Sequence, residues 1–197
     1  MDPRFLRSRD ALREAVLGLA AETPGTELTA DAISRAAGVT RATLYRHAAS
    51  PVALLADALA ADLHALILSQ QDATGEIVTP DGLRGSVRLL VAHIAELADV
   101  YRNLMEPSLL PLVRANLECV VSGALAEHLL RHPEILPTSI APDDALAVQV
   151  IASFSAAGVI GVLELWLAQP ELDIDRGTAL MLAAAPQLWF DADGSRT

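Results

Sequence analysis

The chain has 197 residues, enough for one sizeable core or two smaller ones, and 52% of them are hydrophobic, so burial is not limiting and a disordered chain is excluded. A single cysteine, Cys119, excludes an internal disulfide and any zinc site built from several cysteines, and it fits a reducing cytoplasm. The formal net charge of −11 is unevenly spread: residues 1–50 carry seven Arg against six acidic residues, and residues 51–197 carry seven Arg against nineteen.

Aromatic residues make up only 4%, while alanine and leucine dominate, a mixture that favours helix. All 14 basic residues are arginine. Charged residues break up the N-terminal stretch, so no signal peptide is expected. The apolar runs AAGVIGVLELWLA and TALMLAAAPQLWF read as too short or interrupted for a membrane span, and no membrane partner is expected.

In chain order, residues 4–22 form a first helix, with Leu6, Leu12, Val16 and Leu19 near a 3.6-residue stripe and Arg4, Arg7, Arg9 and Arg13 beside it. Residues 23–26 are a loop. Next comes LTADAISRAAGVTRATLYRH, residues 28–47. Thr29 caps a short helix from Ala30 to about Ala37, with Asp31 in its positive first turn. Gly38 supplies the turn, and Thr40 caps a second helix, Arg41–His47, anchored by Leu44. Two short helices joined by a tight glycine turn are a helix-turn-helix, whose second helix lies in the DNA major groove.

After His47, Ser50 caps and Pro51 opens a fourth helix, about 51–71. Residues 72–82 read as a loop. A clean stripe (Leu83, Val87, Leu90, Ile94, Tyr101) predicts one helix over 81–102. Residues 103–111, with Pro107 and Pro111, are at most a broken helix. Leu112–Arg131 is a further helix, ended by His132-Pro133, and Pro137 and Pro142 delimit a loop. Asp143 and Asp144 start a long helix to about Gln169, and residues 173–190 form the last. No segment alternates as a strand, and no internal repeat is visible. The expectation is an all-α chain of about nine helices: a three-helix DNA-binding head over residues 1–48 and a larger helical ligand-binding and dimerisation body over 49–197.

The segment AGVTRATLYRH resembles the recognition segment of TetR-type transcriptional regulators, closely over residues 9–55 and only in architecture beyond them. The reading head must hold phosphates and read base edges. Thr40 offers a hydroxyl at a helix start, Arg41 is a reader of guanine edges, and Ala42 and Thr43 are small enough to meet thymine methyls. The resemblance implies that the positions of Tyr45 and His47 hold phosphates, and that Arg41, Ala42, Thr43 and Arg46 face the groove. With Thr29, these residues form the candidate DNA-contact set. The sequence departs from the family pattern at Pro24-Gly25, where a Gly followed by an aromatic is usual, at Ala30 and Asp31, at Ala48 and at Pro51. These departures predict fewer phosphate contacts than usual.

The resemblance also implies a homodimer formed by the last two long helices, about 143–169 and 173–190, on a pseudo-palindromic double-stranded operator. The residues agree: Ser153, Ala156, Ala157, Gly158 and Gly161 let a helix approach closely, and Leu180, Met181, Leu182, Leu188, Trp189 and Phe190 are too many for one side. TetR-type bodies hold a small inducer, and a small apolar inducer is expected here. Candidate wall residues on inward faces are His64, His93, Tyr101, Met105, Asn116, Phe154 and Trp166; Asn116, His93 and Glu164 are the least comfortable in a dry core. His128 and His132 stand four apart, as metal ligands do, but no third ligand is placed by sequence. No cofactor, metal or catalytic residue is therefore expected. The chain reads as a cytoplasmic, dimeric repressor rather than an enzyme. The alternative is a helical dimeric ligand-binding or interaction protein whose head no longer reads DNA.

Overall fold

A computed structural model describes residues 3–74, 80–141 and 143–189. Among them are nine α-helices and no strand: α1 Pro3–Glu22, α2 Ala30–Ala36, α3 Arg41–His47, α4 Pro51–Thr74, α5 Pro80–Glu96, α6 Ala98–Arg102, α7 Leu110–Arg131, α8 Ala145–Leu167 and α9 Ile174–Ala184. Three short 3-10 turns, Gly25–Glu27, Pro133–Ile135 and Gln187–Trp189, complete the order. The all-α expectation and the helix number hold. The chain divides into two compact units, Met1–Asp62 with Leu97–Leu117, and Leu63–Glu96 with Glu118–Thr197.

In the first unit, α1 packs on α2, α3 and α6. Leu12 and Val16 of α1, Ile33 of α2 and Leu44 of α3 are fully buried. Each such side chain contributes about 1.5–3 kcal/mol of burial. Gly25 closes this core in an unusual way. Its N–H donates to the Asn103 carbonyl at 3.0 Å, and the Asn103 side-chain amide donates to the Ala20 carbonyl at 2.8 Å. A Cβ on Gly25 would stand 2.7 Å from Leu109 Cδ1 and 2.8 Å from Leu104 Cδ2. Where an aromatic is usual in the resembled family, two leucines from the 103–109 segment fill the space instead. Ser50 caps α4 by accepting from the Ala53 N–H at 3.1 Å.

In the second unit, α9 packs on α5 and α8. Trp166 donates its indole N–H to the Asp173 carbonyl at 3.2 Å and lies flush on Gly177, where a Cβ would stand 2.8 Å from the ring. A smaller cluster gathers Leu129, Ile135, Leu136 and Val148. Asp144 and Asp173 cap α8 and α9 by accepting from Ala147 and Arg176 N–H groups, each at 3.0 Å.

Four expectations need correction. The helix expected over 81–102 breaks at Leu97, which leaves helical geometry at φ −104° and ψ 18°, so that α6 starts anew. The last helix ends at Ala184 instead of 190: Pro186 cannot donate, and Ala185 before it turns extended. Phe190 lies outside the described residues, as do Pro142 and residues 75–79 of the expected 72–82 loop; α5 already begins at Pro80 within that loop. Finally, Pro51–Gln70 of α4 and all of α8 are, by length and composition, apolar enough to cross a membrane, which the shorter runs read from the sequence did not suggest.

Candidate DNA-reading head and ligand cavity

The helix-turn-helix is built from local chemistry. Thr29 caps α2, its hydroxyl oxygen accepting from the Ala32 N–H at 3.2 Å. Gly38 has φ +66°, the left-handed conformation that glycine tolerates. The Gly38 N–H then bonds the Arg35 carbonyl at 3.2 Å, and the Val39 N–H the Ser34 carbonyl at 2.9 Å. That pairing is a Schellman motif, and it satisfies carbonyls the helix end would otherwise orphan. Thr40 caps α3: its oxygen accepts from the Thr43 N–H at 3.2 Å and lies 3.0 Å from the Thr43 hydroxyl.

Of the seven residues of α3, only Leu44 is buried. Arg41, Ala42, Tyr45 and Arg46 are exposed, and Thr43 and His47 are half-buried. Thr29 and Thr40 are exposed as well, so the candidate DNA contacts lie on two adjacent caps and one helix. Two partnerships were not legible in sequence. Arg41 Nε lies 3.3 Å from the Asp31 carboxylate. His47 is held by α1: its ring stacks on Phe5 with centroids 4.2 Å apart, and its Nε2 lies 2.9 Å from Ser8 Oγ. The Ser8 hydroxyl proton is already donated to the Phe5 carbonyl, at 2.9 Å. Burial, then Arg46 and Arg9, push the His47 pKa below its ordinary value.

The second unit holds a cavity of about 290 Å³. Leu63 and Ile67 of α4, Val87 of α5, Val121 of α7, Val159 of α8 and Met181 of α9 give its character, which is mainly apolar. Gln70, Ser86, His128, Ser155 and Trp189 add the polar side chains. Trp189 donates its indole N–H to Ser155 Oγ at 3.1 Å. His128 is buried, with its ring centroid 4.7 Å from that of His132 and 6.2 Å from that of Trp189. Burial first, then His132 and Arg131, push the His128 pKa down to about 4, so the ring is neutral at pH 7.

Of the seven candidate wall residues, Phe154 lines this cavity and the other six do not. His64 is exposed on α4. His93 is half-buried, and its Nε2 has no hydrogen-bond partner among the described residues. Trp166 clamps α8 to α9, as described above. Tyr101, Met105 and Asn116 belong to the first unit. Tyr101 is buried with its hydroxyl unpartnered among the described residues, and burial together with Asp62 raises its pKa. Asn116 lies 3.4 Å from Asp57, whose carboxyl burial pushes up. His128, Ser155 and Trp189 were missed as wall residues. His128 had stood out only as half of a possible metal pair, and its partner His132 lies 3.2 Å from Glu134. No group of three or more metal-ligating side chains occurs among the described residues.

On α8, Leu146, Val150, Phe154 and Leu165 are exposed, Phe154 to 73% and Leu165 to 74%. The first three recur every four residues and so share a face. On α9, Leu180 is exposed too.

No protein-family model matches the chain, and no curated protein does. Solved structures do. The chain is similar to Thermus thermophilus FadR, a TetR family transcriptional repressor solved in complex with lauroyl-CoA: identity is 22%, 96% of each chain is covered, and the TM-score is 0.67. For the Rhodococcus erythropolis TetR-family repressor QsdR the identity is 19%, with 93% of this chain and 96% of that one covered and a TM-score of 0.56. For the Bacillus halodurans fatty acid degradation regulator FadR it is 19%, with 100% and 98% covered and a TM-score of 0.53. The protein has the all-α fold of the TetR-type transcriptional repressors.

Proposed function

We propose that the protein is a DNA-binding transcriptional regulator, a dimeric repressor released from a pseudo-palindromic operator by a small apolar inducer. In this reading residues 1–48 are the DNA-reading head and residues 49–197 the ligand-binding and dimerisation body. The observation that carries it is α3 itself: it is anchored by one buried residue, Leu44, and presents Arg41, Ala42, Tyr45 and Arg46 outward after a Schellman turn at Gly38. Thr40, Tyr45 and His47, with Thr29, would hold phosphates, and Arg41 and Thr43 would read bases.

The cavity supports the inducer. Leu63, Leu66 and Ile67 on its wall belong to α4, the helix that follows α3 in the chain, so a ligand there bears on the element joined to the reading head. The Thermus relative was solved with lauroyl-CoA, which supports a body that holds a ligand. The exposed stripe of α8, with Leu180 of α9, supports the C2 interface. Regulation of this kind needs no catalytic residue and places the protein in the cytoplasm with its DNA.

The Asp31–Arg41 pair favours a second reading, a helical dimeric ligand-binding or interaction protein whose head has lost DNA. A nuclease footprint on the DNA flanking the protein's own gene separates the two. A protected pseudo-palindrome with half-sites about 34–36 Å apart supports the repressor. No protection at low salt supports the alternative.

A further inference from the structure

The cavity in the second unit excludes one chemistry as clearly as it admits another. Among the described residues lining it there is no Asp, Glu or Arg, and the sequence contains no lysine. Its hydrogen-bonding side chains are few, and most are engaged. Trp189 donates to Ser155, and Gln70 is bonded elsewhere. His128 differs. It is only 9% exposed and lines the cavity, and its ring makes no hydrogen bond to another described residue. A neutral imidazole offers one donor and one acceptor, and leaving these unmet in an apolar wall is unfavourable.

We propose that this cavity takes an uncharged, mainly hydrocarbon molecule of about ten non-hydrogen atoms, carrying one hydroxyl or carbonyl that hydrogen-bonds His128, and that it rejects the matching carboxylate. The size follows from about 290 Å³ of space at roughly 30 Å³ per group. The polarity follows from the wall. A carboxylate would be buried with no cation opposite it, and burial keeps His128 itself from charging. An alcohol or ester needs no counter-charge. It uses the donor and acceptor of His128 and leaves its chain among Leu63, Ile67, Val87 and Val159. This inference rests on the reading of residues 49–197 as a ligand-binding body, and it names that body's ligand class.

The test is isothermal titration calorimetry of the full chain at pH 7.5 with 1-nonanol, methyl octanoate and nonanoate as probes. Nonanol and the ester bind, and nonanoate binds at least tenfold more weakly. His128→Leu weakens nonanol about five- to tenfold, whereas His128→Gln, which keeps a donor and an acceptor, restores most of it. Val159→Phe, which fills the cavity, removes binding of all three. Nonanoate binding as tightly as nonanol overturns the proposal, as does the absence of binding by both neutral probes; neither result depends on a variant folding. Anisotropy on operator DNA, run in parallel, separates this claim from the functional reading. Nonanol that binds without releasing DNA sustains the ligand class and overturns induction. DNA release by a carboxylate, with the neutral probes inert, does the reverse.

Discussion

Arg41 Nε lies 3.3 Å from Asp31 Oδ1, so the first residue of α3 is ion-paired to the first turn of the helix before it. Both side chains are exposed, and such a pair contributes at most about 1 kcal/mol. DNA bound at α3 would displace it, and the acid would compete with phosphate and guanine for the same guanidinium. Asp31→Asn should therefore tighten DNA binding severalfold at low salt. Arg41→Ala should lose about 1–3 kcal/mol and relax sequence preference at one base pair. Anisotropy titrations on matched and single-substituted duplexes check both.

Gly25 and Gly18 predict opposite outcomes for the same change. Gly25→Ala drives a methyl into Leu104 and Leu109 and to 3.2 Å from the Asn103 carbonyl. It should destabilise the protein by about 1–3 kcal/mol. At Gly18, on α1, nothing lies within 4 Å of the added Cβ. Gly18→Ala should instead stabilise by up to about 1 kcal/mol through helix propensity. Urea unfolding midpoints distinguish the two.

His128 makes stability depend on pH. Its folded pKa is about 4, below the ordinary 6.5, because burial, His132 and Arg131 disfavour the charged ring. The unfolded chain thus binds the proton more readily. The associated stability is fully present above about pH 6.5 and is lost as pH falls through about 4. With allowance for solvent reaching the ring through the cavity, the loss is about 2 kcal/mol. His128→Leu should flatten that part of the pH profile, as read by thermal unfolding between pH 7.5 and pH 4.

The α8 face predicts the assembly state. Phe154 and Leu165 are about three-quarters exposed on an apolar helix, an arrangement that a second copy would cover. Sedimentation at micromolar concentration should give a dimer. Phe154→Glu together with Leu165→Glu should give a folded monomer with unchanged helicity by circular dichroism. A wild-type monomer would contradict the interface.

What was legible in the sequence was what is local. Thr29, Gly38, Thr40, Ser50 and Asp144 announce their turns and caps through their own side chains, and the helices they bound fall where expected. The break at Leu97 was not legible, because no proline or glycine marks it. The end of α9 was legible in principle from Pro186, but the apolar run across it hides the signal. The cavity was hardest to foresee. Its wall is assembled from α4, α5, α7, α8 and α9, and no periodicity within one helix says which buried positions face a gap and which face another side chain. Trp166 and Phe154 look alike in sequence. One fastens α8 to α9, and the other lines the cavity. Likewise the contact of His47 Nε2 with Ser8 of α1, a partner 39 residues away, has no signal in the sequence around His47.

The central claim is that α3 reads DNA. The most direct measurement is fluorescence anisotropy of the full chain on DNA from upstream of its own gene, with a salt titration and Arg41→Ala beside the wild type. Saturable binding at least a hundredfold tighter than to unrelated duplex is expected. Log K should fall with log salt, with a slope that reflects a few phosphates per head, and the variant should show a marked loss. Equal affinity for both duplexes down to low salt, unaffected by Arg41→Ala, would contradict it.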